Sequence, residues 1–238
     1  MGTQSMMGVL SDAHGNWPAF DRSISVLKQL GATKFVFLGD ALGYLPDSGV
    51  LDSIEALGEQ IACVRGNHED MILKATTKPA SESMYQHQKC RQALNDRQLS
   101  TINAWPVMLQ LDVTAGKVLF VHGSPDDKTY GYVYPDTDLD VFQTECDYVF
   151  MGNTHRPFIR DCVGVTYINV GSCGLPRDHG ALGSVALFDE VSGASRIVRF
   201  DIQEETRRCL SGIAAVHPDV VGLFARRPAH YEGELFVD

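Results

Sequence analysis

The chain has 238 residues, 44% of them hydrophobic, enough for one fairly large domain or two small ones with a full core. A formal charge of −10 and the lack of a basic run exclude a general duplex-binding protein, although an acidic chain still binds phosphate where a metal supplies positive charge. No apolar run is long enough to span a bilayer and residues 1–6 carry no signal-like pattern, so a cytoplasmic location is expected, with the six scattered cysteines as reduced, mostly buried thiols.

In chain order, Val9-Leu10-Ser11-Asp12-Ala13-His14-Gly15-Asn16 is an apolar strand that stops in an acid and an imidazole two residues apart. A strand period of two sends both to the same side. Pro18 suits a first helical turn, and Phe20, Ile24, Leu27 and Leu30 recur at helical spacing until Gly31. Residues 34–38 predict a second strand ending in Gly39-Asp40. Leu51, Ile54 and Leu57 mark a second helix closed by Gly58, and residues 61–64 a third strand running into Arg65-Gly66-Asn67-His68-Glu69. This alternation predicts β-α-β units and a partly parallel sheet, with the polar groups at strand ends.

Residues 71–105 read as a polar helical insertion that borders the site or forms a dimer surface, with His87 a surface residue. Beyond Pro106, residues 107–113 and 117–121 predict two strands, the second ending in His122. A turn-rich loop carries Tyr130, Tyr132 and Tyr134, and residues 138–144 suggest a short helix. A strand over 148–151 ends in Gly152-Asn153-Thr154-His155. Strands over 165–170, 184–188 and 195–200 come next, and the tail from Gln203 is helical to about Ala215, then loosens. Two layers of sheet with helices outside fit this order, with no domain boundary.

Five strand ends thus carry Asp12/His14, Asp40, Asn67/His68, His122 and Asn153/His155. Each alone has a bland explanation as a turn, a cap or a satisfied buried histidine. Together they do not, because turns rarely require imidazole. Carboxylate, amide and imidazole suit a borderline divalent metal, and the ligands are too many for one tetrahedral ion. A pair of ions sharing a carboxylate fits.

The series D-x-H, G-D, G-N-H-E, H-G and G-x-x-H resembles the calcineurin-like metallophosphoesterase superfamily. Gly43-Tyr44-Leu45-Pro46, His122-Gly123-Ser124-Pro125 and Asn169-Val170-Gly171-Ser172 with Pro176-Arg177-Asp178 resemble its small bacterial phosphodiesterase branch. The resemblance covers roughly residues 6–200, with 201–238 as a tail. It implies one α/β domain, a four-layer α-β-β-α sandwich of two mixed sheets flanked by helices. It also implies that Asp12, His14, Asp40 and His155 hold one metal, and that Asp40, Asn67, His122 and Asn153 hold the second. Manganese is the leading cofactor, with Fe, Zn, Ni or Mg as others. His68 becomes the non-ligand general acid, oriented by Glu69, for hydrolysis of a phosphodiester or nucleotide by a water activated between the ions.

One departure stands out. The family usually reads G-H-x-H, whereas this chain has Asn153, a neutral amide that implies a weaker second ion. Asn16 is expected to secure the loop of His14. Arg177 reads either as a fork donor to phosphate or as an ion pair with Asp178, and Tyr44 as a substrate contact. Phosphomonoester or protein phosphatase, and a degenerate nucleotide-binding protein, are the alternatives. The expected partners are a small phosphoester or nucleotide and, across the helical insertion, a second copy of the chain, not a membrane.

Overall fold

The computed structural model describes residues 5–237. Its first elements are β1 (Met6–Leu10), α1 (Trp17–Gln29), β2 (Lys34–Phe37), α2 (Gly49–Leu57) and, after one 3-10 turn, β3 (Ile61–Cys63). Four helices come next: α3 (Asn67–Lys74), α4 (Pro79–Tyr85), α5 (His87–Ala93) and α6 (Asp96–Ala104). Then come β4 (Met108–Val113), β5 (Gly116–Val121), β6 (Tyr148–Met151), β7 (Phe158–Cys162), β8 (Val165–Asn169), β9 (Leu182–Asp189) and β10 (Ser195–Asp201). The chain closes with α7 (Gln203–Ser211), α8 (Pro218–Leu223) and β11 (Glu234–Leu235).

Two mixed sheets result, one in the order β11-β10-β9-β1-β2-β3 and the other β4-β5-β6-β8-β7. Strands β1, β2 and β3 are parallel, as are β5, β6 and β8, so each set ends on one edge of its sheet. Strand alternation builds the core on both faces. Met7, Val9 and Val36 meet Val118, Phe120 and Phe150 between the sheets. The intervening Leu10, Phe35 and Phe37 face Phe20, Ile24 and Leu27 of α1 on the outside. Each such side chain contributes about 1.5–3 kcal/mol on burial, which holds the strand ends in register.

The outer face of the second sheet is covered by irregular chain, in which Val133, Leu139, Phe142 and Cys146 pack on Leu119, Val149 and Tyr167. The short helix expected over 138–144 is a single turn instead. Phe142 N donates to Leu139 O at 3.2 Å and Asp138 Oδ1 accepts from Asp140 N at 3.1 Å, while Leu139 and Phe142 are held by the second sheet. Strand β7, absent from the sequence reading, is an edge strand paired antiparallel with β8, and its mixed burial hides its alternation. Nor does the tail loosen after Ala215: α8 forms, and β11 adds to β10.

All six cysteines are free thiols, five of them buried. Among the described residues no helix is long and apolar enough to cross a membrane.

Candidate metal centre

The polar strand ends meet at one edge of the paired sheets, on backbone that most residues avoid. Asp12, His14, Asp40, Tyr44, Asn153 and His155 all have φ between 50° and 64°. Left-handed conformations of this kind cost on the order of 1–3 kcal/mol each and persist only where surrounding bonds enforce them. Here the β1 and β2 loops zip together: Asp12 N donates to Gly39 O (3.0 Å), His14 N to Asp40 O (2.9 Å) and Gly15 N to Ala41 O (2.8 Å). Gly152 lets the β6 loop approach, since a Cβ there would lie 2.2 Å from Ser11 Oγ and 2.6 Å from Asp12 Oδ2.

Second contacts then set the tautomers. His14 Nδ1 lies 2.9 Å from the Leu42 carbonyl, His122 Nδ1 2.8 Å from the Leu38 carbonyl, and His155 Nδ1 bonds to the Leu175 carbonyl. A carbonyl only accepts, so each imidazole carries a proton at Nδ1 and turns Nε2 inward. The Nε2 atoms of His14 and His155 are 3.1 Å apart. Asp12 Oδ1 lies 3.2 Å from His155 Nε2 and 3.6 Å from His14 Nε2, and among the described residues it has no hydrogen-bond partner. Lone pairs facing one another in a buried site repel, so this donor set fits a divalent cation.

Asp40 joins this cluster to the next. Its Oδ2 is 3.7 Å from His14 Nε2 and 3.3 Å from His122 Nε2. His122 Nε2 in turn is 2.9 Å from Asn67 Oδ1. Asp12, His14 and His155 form one group with metal-ligand spacing, and Asp12, Asp40 and His122 another. Burial opposes a charge on His122, but the Asp40 carboxylate prevails and raises it to about 9. Protons and cations therefore compete for this imidazole. Affinity for Mn is expected to fall about tenfold per pH unit below about pH 9, with a proton released on binding. Calorimetric titration in buffers of different ionisation enthalpy reads both effects. Affinity that stays constant from pH 7 to 9 contradicts them.

His68 stands at the second position of α3, its backbone N–H donating to Asp40 Oδ1 at 2.9 Å. Its Nε2 is 3.9 Å from Asp40 Oδ2. The Glu69 carboxylate does not reach this ring. It accepts from the backbone N–H groups of Asp40 (2.8 Å), Leu42 (3.2 Å) and Gly66 (3.0 Å), bracing the loop that carries Asp40. Burial and the Asp40 charge raise Glu69 to about 7, against those bonds.

The ring of His68 is held by a residue that sequence reasoning left on the surface. His87 is 2% exposed, and its Nε2 lies 2.8 Å from His68 Nδ1. One signal pointed inward: His87 precedes buried Cys90 by three residues, on one stripe of α5.

Asn16 donates to the Gly174 carbonyl (2.9 Å) and Thr206 Oγ1 (3.1 Å), tying the His14 loop to α7. Asn153 N donates to Asp12 Oδ2 (3.0 Å) and its Nδ2 to Gly131 O (2.8 Å), which leaves the amide oxygen for a cation. Arg177 Nη2 donates to Tyr44 Oη at 2.7 Å. It does not pair with Asp178, which instead binds the buried Arg199 through contacts of 2.6 and 3.1 Å. The Tyr44 ring lies 4.8 Å from that of His14 and 4.9 Å from that of His68. Tyr44, Tyr85 and Arg177 also line a cavity of about 650 Å³ whose far wall is α8.

A family model of the calcineurin-like phosphoesterase superfamily domain matches residues 6–193, a span that includes every candidate metal ligand as well as His68 and His87. An uncharacterised protein of Methanocaldococcus jannaschii is 27% identical over 228 residues, covering 84% of this chain and 90% of its own length. A metallophosphoesterase from Sphaerobacter thermophilus shares the fold at TM-score 0.75 and 22% identity, over 94% of this chain and 99% of that one. A hypothetical protein from Pyrococcus horikoshii OT3 does so at TM-score 0.77 and 18% identity, over 98% of this chain and 100% of that one. With the buried acid and imidazole donors at the strand ends, this chain belongs to the calcineurin-like phosphoesterase superfamily and is a hydrolase of phosphate esters.

Proposed function

We propose that the chain hydrolyses phosphodiesters, with a nucleoside-bearing diester as substrate, at a centre of two divalent cations of which manganese is the first candidate. Asp12, His14, His155 and Asp40 would hold one cation, and Asp40, Asn67, His122 and Asn153 the other. When bound, such cations supply Lewis-acid charge to the phosphoryl oxygens and lower the pKa of a water. His68 donates from Nε2 to the leaving oxygen, a role worth about 10²–10⁴-fold. Tyr44 and Arg177 steer the ester toward that atom.

The observation that carries the diester reading is the cavity beside Tyr44. At about 650 Å³ it is large enough for a nucleoside substituent, and it offers the rings of Tyr44 and Tyr85 as its aromatic walls. The exposed Tyr132 and Tyr134, stacked at 6.2 Å, come after Gly131, which bonds to Asn153. A monoester dianion calls for more fixed positive charge, whereas Arg177 already gives Nη2 to Tyr44. With Mn, kcat/KM is expected to be at least about tenfold higher for bis-p-nitrophenyl phosphate than for p-nitrophenyl phosphate. A preference for the monoester overturns the diester reading.

Asn153 supplies a neutral oxygen where imidazole would bind more tightly. The second cation is therefore the more exchangeable one. Dialysis is expected to leave about one ion per chain, and Asn153→His to raise that count towards two. Two equally tight ions in the unaltered chain contradict this.

A further inference from the structure

We propose that His87 is a positioning residue for the reaction: through a Thr77–His87–His68 hydrogen-bond chain it keeps a proton on His68 Nε2 and restores it after donation. The inference rests on His68 acting as the leaving-group donor. Three observations carry it. His87 Nε2 is 2.8 Å from His68 Nδ1, and His87 Nδ1 bonds to Thr77 Oγ1. Among the described residues no other side chain takes that role: Glu69 is committed to three backbone N–H groups, and Gly43, which faces the same Nδ1, has no side chain to offer. A Cβ at Gly43 would lie 2.1 Å from His68 Nδ1. The third observation is that Thr77 and His87 line a cavity of about 70 Å³ with Gln88 and Arg91, away from the metal centre and roomy enough for water.

Electrostatics sets the direction of the chain. His68 Nε2 faces the Asp40 carboxylate at 3.9 Å, which favours N–H there and leaves Nδ1 as an acceptor. His87 then donates from Nε2 and accepts at Nδ1 from the Thr77 hydroxyl. Burial pushes His87 down to about 4, so it is neutral near pH 7 and available as such a link. A neutral imidazole that gives up its Nε2 proton would become an anion unless Nδ1 gains one at the same time. The chain meets that balance. The His68 Nε2 proton passes to the leaving oxygen, the His87 Nε2 proton passes to His68 Nδ1, and the Thr77 hydroxyl proton passes to His87 Nδ1. Water in the small cavity reprotonates Thr77 and is left as hydroxide, which is neutralised when a proton from the water of the active site enters at His68 Nε2 and the chain runs back through His87 and Thr77. Both rings stay neutral with their tautomers exchanged, and solvent resets them.

The test pairs leaving-group dependence with a direct reading of the tautomer. Bis-p-nitrophenyl phosphate has a leaving group that needs no proton, whereas a dinucleoside monophosphate expels an alkoxide. His87→Leu is expected to lower kcat on the dinucleoside by about 10- to 100-fold and on the aryl diester by less than about threefold, at unchanged KM and metal content. His87→Gln keeps an N–H donor and is expected to recover part of the loss. In the Mg-loaded protein, ¹⁵N NMR is expected to find His68 as the Nε2–H tautomer, and mixed tautomers in His87→Leu. Equal losses on both substrates, lost metal, or an unchanged His68 tautomer overturn the role of His87. His68→Gln run alongside tells the two ideas apart. If it discriminates between leaving groups and His87→Leu does not, only His87 is wrong; if His68→Gln itself fails to discriminate, the donor reading falls and this inference with it.

Discussion

Asp40→Asn is expected to lower kcat/KM by at least about 10³-fold, about 4 kcal/mol of transition-state stabilisation, and to abolish the rise in Tm expected when Mn is added to the unaltered chain. The reason is one oxygen. Asp40 Oδ2 faces His14 Nε2 at 3.7 Å and His122 Nε2 at 3.3 Å, so a single charge serves both halves of the centre. Asparagine preserves the shape, and its own Oδ1 can still accept the His68 backbone N–H, so α3 keeps its anchor. The charge is what disappears. In the unaltered chain a cation at a hundred times its Kd adds about 2.7 kcal/mol to folding stability. A variant that keeps the Mn-dependent shift shows that the two halves do not depend on Asp40.

His68→Gln is the second large effect, with an opposite metal signature. On a dinucleoside monophosphate, whose leaving alkoxide needs a proton, a loss of about 10²–10⁴ in kcat is expected at near-normal KM, with the metal content of the unaltered chain. His68 lies close enough to be mistaken for a ligand: His14, Asp40 and His68 also form a group with metal-ligand spacing. Its second nitrogen tells it apart. The Nδ1 atoms of His14, His122 and His155 each bond to a backbone carbonyl, which turns Nε2 inward, whereas His68 Nδ1 faces His87. The ring is therefore free to carry its proton at Nε2. Metal analysis after gel filtration checks this directly, and lost metal in His68→Gln reassigns the residue as a ligand.

Much of this centre is legible along the chain because parallel strands concentrate their C-terminal ends in space. Asp12, Asp40, His122 and His155 each come just after an apolar run, and glycine marks the close approaches, as Gly152 does against Ser11 and Asp12. The residue types at a strand's end are local information. The contacts a side chain makes across the fold are not. Glu69 next to His68 suggests an orienting pair, yet the helical turn of α3 directs its carboxylate to the Asp40 loop. His87 hides in a polar insertion whose periodicity is weak, and only packing of α5 against α3 brings it to His68. Arg177 beside Asp178 suggests an ion pair, but the buried Arg199 takes Asp178 and frees Arg177 for Tyr44. The helix expected over 138–144 is reduced to one turn, with Leu139 and Phe142 packed on the second sheet, a contact across the fold that local spacing does not announce.

Anomalous diffraction from Mn-soaked crystals tests the shared centre most directly. The expected result is two peaks about 3.5–4 Å apart, one among Asp12, His14 and His155 and a weaker one among Asn67, His122 and Asn153, with Asp40 between them. A single peak, or a peak ligated by His68, contradicts it.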